Sequence, residues 1–413
     1  MLLNLPRAQA IMDKHKLDGL IAAQKQNIYY LTDHFPYALR LDRHFTTFAV
    51  LPRRADMPAA LVIGMTENGR LANSKTWIPN IIAATGRGSP TAANTSGPNK
   101  EEGLGPLSTY IRRPNPVLSP VEEKWADLAR ARIGRMVVRP IDGLKRALDD
   151  AGLTKGRVGS DDPRVIGWMN EMGCSLQGVD ASNIFREIRM VKSPDEIELL
   201  RKSAQANEAA VDVTIKAMHE GATQAELERE FMLEMVRQGG TGVYILLGMV
   251  SGLRQGKMVK GEPVMVDALS TYAGYNGDLG RTVVIGEPDA ETRLRDKAMQ
   301  KGRQVACEMM KPGVQGSELV RKVMDVVHKE GFPAFNHSVA HTVGLEHTDH
   351  PFSIGADGLG GVADFTVEEN MVLNFDMPYQ EWGWGSMHIE DTLCITRDGF
   401  KPLTSLKTAL RQI

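Results

Sequence analysis

Four acidic residues and one histidine in the last third of the chain are the side chains best suited to chemistry. Asp267 and Asp278 lie in VMVDALSTYAGYNGDLGRTVVIG, Asp376 and Glu390 in MVLNFDMPYQEWGWGSMHIEDTLCI, and His341 between them in HSVAHTVGLEHTDHP. Four carboxylates and one neutral imidazole can neutralise two divalent cations and leave room for a hydroxide bridging them. Imidazole argues against calcium, and the lack of thiolates argues against a structural zinc. Manganese, iron, cobalt and zinc remain open.

Each carboxylate pair sits in alternating apolar and polar residues around a turn, the pattern of a β-hairpin. The spacing predicts Asp267 opposite Asp278 about a centre between Tyr272 and Ala273, and Asp376 opposite Glu390 about Gly383. Directly opposed residues hold their Cβ atoms about 4.5–5.5 Å apart, so two like charges there require a counter-charge. Period-two alternation puts Asn374 on the face of Asp376, puts His388 and Thr392 beside Glu390, and sends Phe375 and Ile389 to the other face. An isolated acidic pair near a turn is common and can be satisfied by an arginine, but parity places Arg281 on the face opposite Asp278. Two matched pairs favour a metal centre. So does a tract in which His337, His341, His347 and His350, four of the chain's ten histidines, fall within fourteen positions.

The elements that must position these groups fall into two parts. From Arg7 onward the chain reads as a helix, a short strand in LDGLIAA, a helix or turn over Asn27 to Leu31, and strands near TTFAVL and LVIGM. Helices around VEEKWADLARARIG and DGLKRALDDAGL and strands in MVVRPI and RVGSDD complete a small mixed α/β domain. The Gly, Pro, Ser, Thr and Asn-rich stretch from Gly86 to Pro120 is too long for a routine connector and reads as a flap, a dimer contact or irregular surface. Near Phe185 the character changes. Ser193-Pro194-Asp195-Glu196 is a capping box that opens a helix ending at Gly221, and Thr223 to Glu226 opens another. The predicted domains are 1–184 and 185–413.

A chain of 413 residues with 42% hydrophobic and 24% charged residues is that of a globular enzyme. The net charge of -2 offers no field for nucleic acid or an anionic membrane, so the expected partner is a small molecule or short peptide. Cys174, Cys307 and Cys394 are scattered and odd in number, which points to a reducing, cytoplasmic setting. Neither an export signal nor a long apolar span is read. HExxH, Gly-x-Ser-x-Gly, P-loop and GxGxxG motifs do not occur, and GADGLGG from Gly355 reads as a loop.

These motifs resemble the pita-bread metallohydrolases, the family of methionine aminopeptidase, aminopeptidase P, prolidase and creatinase. Asp267 and Asp278 match the family's first metal hairpin, His341 the histidine of its HxxGL motif, and Glu390 the last glutamate of its IEDT motif. REIRMVKSPDEIELLRKSAQ and NIYYLTDH are similar to segments of the prolidase and creatinase branch. The resemblance implies an α+β chain, with a creatinase-type N-terminal domain and a catalytic domain of antiparallel sheet covered by helices. It also implies a homodimer in which Arg40 and Arg43 could approach a neighbouring site, although solvated surface arginines are the simpler reading. Asp376 stands where the family usually has a glutamate, and His388 where it often has an arginine. Positions of two peptidase histidines fall on Val250 and Thr348, with His347 and His350 nearby as substitutes, while His337 matches a third.

The expected metal ligands are therefore Asp267, Asp278, His341, Asp376 and Glu390. The expected reaction is hydrolysis of an amide-type C–N bond, with Asp376 as base, His337 stabilising an oxyanion, and His347 or His388 orienting the leaving group. A creatinase-like or lyase reaction and a metal-free binding protein are the alternatives.

Overall fold

The computed structural model describes residues 1–84, 117–132, 136–249, 252–354 and 360–413. Its internal contacts divide it into two compact units, Met1–Ile188 and Arg189–Ile413.

The first unit is built on a six-stranded mixed sheet. Its strands are β1 (Gly19–Ala22), β2 (Phe48–Pro52), β3 (Ala60–Gly64), β4 (Asn80–Ala84), β5 (Lys155–Ser160) and β6 (Ser175–Asp180), in the order β4-β3-β2-β1-β5-β6. The β1–β2 and β2–β3 pairs are antiparallel, and β1–β5, β3–β4 and β5–β6 are parallel. Strands β1 and β2 are buried along their whole length, as expected where helices cover a sheet. Leu144, Ala147 and Leu148 of the helix Pro140–Asp150 share a core with Val50, Val62 and Ile82. Asn27 to Leu31 is helical, within Lys25–Thr32. The stretch MVVRPI falls short of the expected strand and contributes only a bridge from Val137 to Ala84. Residues 86–116 of the Gly- and Pro-rich segment lie outside the described residues, and Pro120 opens the helix Pro120–Arg132. Arg40 and Arg43 are exposed.

The second unit holds an eight-stranded sheet. In chain order its strands are β7 (Thr241–Leu247), β8 (Pro263–Tyr272), β9 (Tyr275–Val284) and β10 (Val339–Thr342); a separate pair, β11 (Phe352–Ile354) and β12 (Gly360–Val362), follows; then come β13 (Val372–Glu381), β14 (Gly385–Thr396), β15 (Gly399–Pro402) and β16 (Arg411–Gln412). The sheet runs β10-β13-β14-β9-β8-β7, with β15 beside β14 and β16 beside β9. Alternation fixes which face is apolar. Leu373, Phe375, Met377, Ile389 and Leu393 pack with the helices Ala290–Met309 and Gly316–Lys329. Val264, Val266, Ala268, Leu279 and Val283 pack with the helices Pro194–Ala217 and Gln224–Arg237. The residues between them, among them every predicted ligand on these strands, are left for the opposite face. Both capping boxes form, and the first helix stops at Ala217, four residues before Gly221. Among the described residues no helix is long and apolar enough to cross a membrane.

Candidate metal centre

The five predicted ligands come one from each of five adjacent strands: His341 on β10, Asp376 on β13, Glu390 on β14, Asp278 on β9 and Asp267 on β8. The second hairpin has the predicted register, with Asp376 opposite Glu390 and Glu381 opposite Gly385 across the Trp382–Gly383–Trp384 turn. The first hairpin does not. Tyr272 pairs with Tyr275, so Asp267 faces Gly280 and Asp278 faces Leu269. The physical reason is the turn. Ala273 and Gly274 both take positive φ, 50° and 84°, the conformation that a two-residue hairpin turn of right-handed twist requires and that glycine tolerates at no steric cost. A centre one residue earlier would have put Tyr272 in that conformation. The two aspartates thus become diagonal neighbours on the same face.

The donor atoms converge. His341 Nε2 lies 3.3 Å from Asp376 Oδ2, 3.9 Å from Glu390 Oε1 and 4.0 Å from Asp278 Oδ2. His347 Nε2 is 2.9 Å from Asp278 Oδ2 and His388 Nε2 3.1 Å from Glu390 Oε2. Three triads have donors within 4.8 Å of one another: Asp278 with His341 and His347, Asp267 with His388 and Glu390, and His341 with Asp376 and Glu390. Glu390 and His341 each belong to two of the triads, so either side chain would help to hold a divalent ion bound there.

Electrostatics agree that a cation belongs here. Both Asp278 oxygens, Asp376 Oδ1 and His341 Nε2 are buried without a hydrogen-bond partner, a costly state for a charged group unless something else neutralises it. Burial and the charges of Glu390, Asp376 and Asp267 push the Asp278 carboxyl well above its ordinary range. Burial and Glu390 likewise raise Asp376 to about 7, and Asp267 is lifted to about 6. Burial alone would lower His341, but Asp376 and Glu390 outweigh it and lift it to about 9. A divalent ion would remove this crowding and claim the orphaned donors.

The surroundings hold the ligands in place. His341 Nδ1 is 3.1 Å from the His347 carbonyl, so it donates there, and Nε2 would be the nitrogen that offers a lone pair to a bound cation. The Asn374 amide donates to Glu390 Oε1 at 2.6 Å, and the Thr392 hydroxyl to the Asp278 carbonyl at 3.0 Å. Arg281 turns to the other face, as parity predicts, and pairs with Asp391 at 2.7 Å.

His347 sits at the cluster, but His350 does not. It is fully buried, accepts the Thr342 N–H at 3.1 Å and packs on Phe365, so it cannot replace the missing peptidase histidine. His337 is exposed, three residues before Ala340, and belongs to none of the triads. Thr348 Oγ1 lies 3.4 Å from His347 Nδ1. Val250 and residues 355–359, which include most of the GADGLGG stretch, lie outside the described residues.

Sequence reading missed two features. Asp349 is buried between Arg189, at 2.8 and 2.6 Å, and Lys192, at 2.8 Å, while Arg189 also pairs with Glu346. This clamp fixes the turn that carries His347. Tyr244 on β7 was not singled out either, although burial and the nearby Asp267, Asp278, Glu390 and Asp376 charges raise its phenol and keep it protonated. Its period-two spacing with Leu246, opposite Asp267, was a usable signal.

The chain's similarities are consistent with this geometry. The sequence pattern of metallopeptidase family M24 matches residues 198–397, and that of the creatinase/prolidase N-terminal domain matches residues 5–105. An Xaa-Pro dipeptidase of Pyrococcus horikoshii is 28% identical over 238 residues, 55% of this chain and 66% of the relative. One of Lactobacillus delbrueckii subsp. lactis is 28% identical over 243 residues, 56% of this chain and 64% of the relative. The aligned region thus spans just under two thirds of both relatives. Among solved structures, the prolidase of Pyrococcus horikoshii OT3 superposes with a TM-score of 0.69 at 20% identity, covering 98% of each chain. An Xaa-Pro dipeptidase of Bacillus anthracis gives 0.72 at 17%, covering 99% of each. These likenesses establish the fold.

Proposed function

We infer that this chain, which belongs to metallopeptidase family M24 and carries the creatinase/prolidase type of N-terminal domain, is a metal-dependent hydrolase that cleaves an amide C–N bond in a small substrate. Its relatives named Xaa-Pro dipeptidase make an Xaa-Pro dipeptide the first substrate to test. One observation carries the reading: five neighbouring strands each deliver one oxygen or nitrogen donor to a single buried cluster in which both Asp278 oxygens and Asp376 Oδ1 have no hydrogen-bond donor.

Asp267, Asp278, His341, Asp376 and Glu390 would hold two divalent cations, with manganese, iron, cobalt and zinc as candidates. Such ions supply Lewis acidity and bring the pKa of water from 15.7 to about 7. The protein's own groups do the rest. Asp376, 20% exposed at its side chain, is placed to hold the proton released by the attacking water. Tyr244 keeps its phenolic proton and can donate it as a hydrogen bond to an oxyanion, with His337, exposed two residues ahead of β10, meeting the substrate. His347, 43% exposed and beside Asp278, can orient the leaving nitrogen.

Thr348, standing at a peptidase-histidine position, favours a second reading: hydrolysis of a creatine-like amidino compound, or a lyase reaction, at the same centre. The three unbonded cysteines are compatible with a reducing cytoplasm, and a homodimer is the expected assembly.

The test is metal analysis of the purified protein with parallel assays of Xaa-Pro dipeptides, creatine and sulfonium compounds. Two ions per chain and dipeptide cleavage abolished by chelation support the reading. Full activity in a metal-free sample would end it.

A further inference from the structure

We propose that His388 is itself a metal ligand, completing a second cation position with Asp267 and Glu390, so that each of the two ions has an imidazole of its own. The proposal rests on the dinuclear reading above and extends it by a residue outside the five ligands.

Three observations converge. His388 is 2% exposed, and its Nε2 lies within 4.8 Å of donor oxygens from both Asp267 and Glu390. The His388 Nε2 to Glu390 Oε2 separation is 3.1 Å. Two donors each about 2.1 Å from one ion, at right angles, lie about 3 Å apart, so this spacing suits a shared ion as well as a hydrogen bond.

The neighbouring strand is cut away to admit the ring. Gly280 pairs with Asp267 on one side and Glu390 on the other, and a Cβ there would stand 2.1 Å from His388 Cδ2 and 2.5 Å from its Nε2. Only glycine at this position leaves room for the imidazole beside β9.

The competing role is that of a counter-ion, a protonated histidine neutralising Glu390. The two roles predict opposite signs. Removing a ligand weakens cation binding; removing a positive charge from a cation site strengthens it.

The experiment loads wild-type, His388→Ala, His388→Gln and Gly280→Ala proteins with zinc or cobalt(II). Bound ions are counted by elemental analysis, affinities measured by titration and imidazole ligands counted by X-ray absorption. Circular dichroism confirms that each variant is folded. His388→Gln preserves a neutral hydrogen bond to Glu390, so it separates ligation from positioning. The proposal expects two ions in the wild type. In all three variants the second should bind about 100-fold or more weaker, and in His388→Ala and His388→Gln one imidazole should be missing from the absorption signal. Two ions bound with unchanged or tighter affinity in His388→Ala, or full rescue by His388→Gln, overturns this proposal and leaves the dinuclear centre standing. A folded wild type that takes up no ion overturns both.

Discussion

Asn374 is a small residue with a large share in the arrangement, because its amide nitrogen is the donor that points Glu390 Oε1 at 2.6 Å. Groups that orient a ligand typically cost 10–100-fold in metal affinity when removed. Asn374→Ala should therefore weaken cation binding about 10–100-fold in a metal titration while the five ligands stay in place; unchanged affinity would show that Glu390 is held by the ion alone. Asp278 predicts a sign reversal. It is 1% exposed with both oxygens unsatisfied, and its carboxyl is pushed far up by burial and by neighbouring charge. Asp278→Asn should then leave the metal-free protein equally or more resistant to heat, while the proposed hydrolysis falls at least about 100-fold. A loss of stability in the metal-free form would contradict the charge-crowding argument. At this scale the sequence is informative about residue type and parity: His388 and Asn374 were read onto the site face from spacing alone. It is silent on depth, which is why His350 looked equivalent to His347 until its ring proved to be buried against Phe365, and why His337 could not be seen to lie outside the triads.

Hairpin register shows what an element can and cannot declare. The second hairpin was legible because the Trp-Gly-Trp-Gly turn leaves one symmetric centre. The first was misplaced by one residue in its centre because the conformational demand of Gly274, rather than the symmetry of the aspartates, sets the turn. Alternation survived the error, so both aspartates still share a face. Helix starts were legible too, and one carries a pH dependence. Glu196 closes the capping box with Ser193, accepts from Tyr275 at 3.1 Å and is fully buried. Burial raises its pKa from 4.5 to about 7, against the pull of Lys192. Between those values the folded chain holds a proton that the unfolded chain has lost, so stability is greatest below pH 4.5 and falls as pH rises through 7. This one group contributes a loss of about 3 kcal/mol over that window. Glu196→Gln keeps the Ser193 N–H bond on its amide oxygen, turns its amide NH2 to donate to the Tyr275 hydroxyl, and removes the titration. Its unfolding free energy from urea melts should therefore vary less between pH 4.5 and 7 than that of the wild type, and identical slopes would refute the assignment. The clamp of Arg189 and Lys192 on Asp349 was invisible for a different reason: its partners are 157 to 160 positions apart, and no local pattern encodes such a pairing.

For the whole molecule, each unit has its own buried core; the change in patterning near Phe185 marked a domain boundary, and the α+β organisation was what the family resemblance of motifs spread over the chain implied. The second unit alone carries the cluster, so cations should stabilise that unit by mass action. At a free-ion concentration 100 times Kd, binding to the folded form alone adds about 2.7 kcal/mol for one site. A domain of 150–250 residues shifts about 2–4 °C in Tm per kcal/mol, so chelation should lower the melting of Arg189–Ile413 by about 5–10 °C. Relief of carboxylate repulsion is part of the same term, since the ions and protons compete for the same oxygens. The chelation shift should therefore shrink at pH 5, where Asp376 and Asp267, with pKa values near 7 and 6, are already protonated in the metal-free protein and the ions bind more weakly. Calorimetry of the full chain with and without chelator, at both pH values, checks this. Coincident melts at pH 7 would mean that no ion contributes to the fold, and a larger shift at pH 5 than at pH 7 would mean that the stabilising ion binds elsewhere.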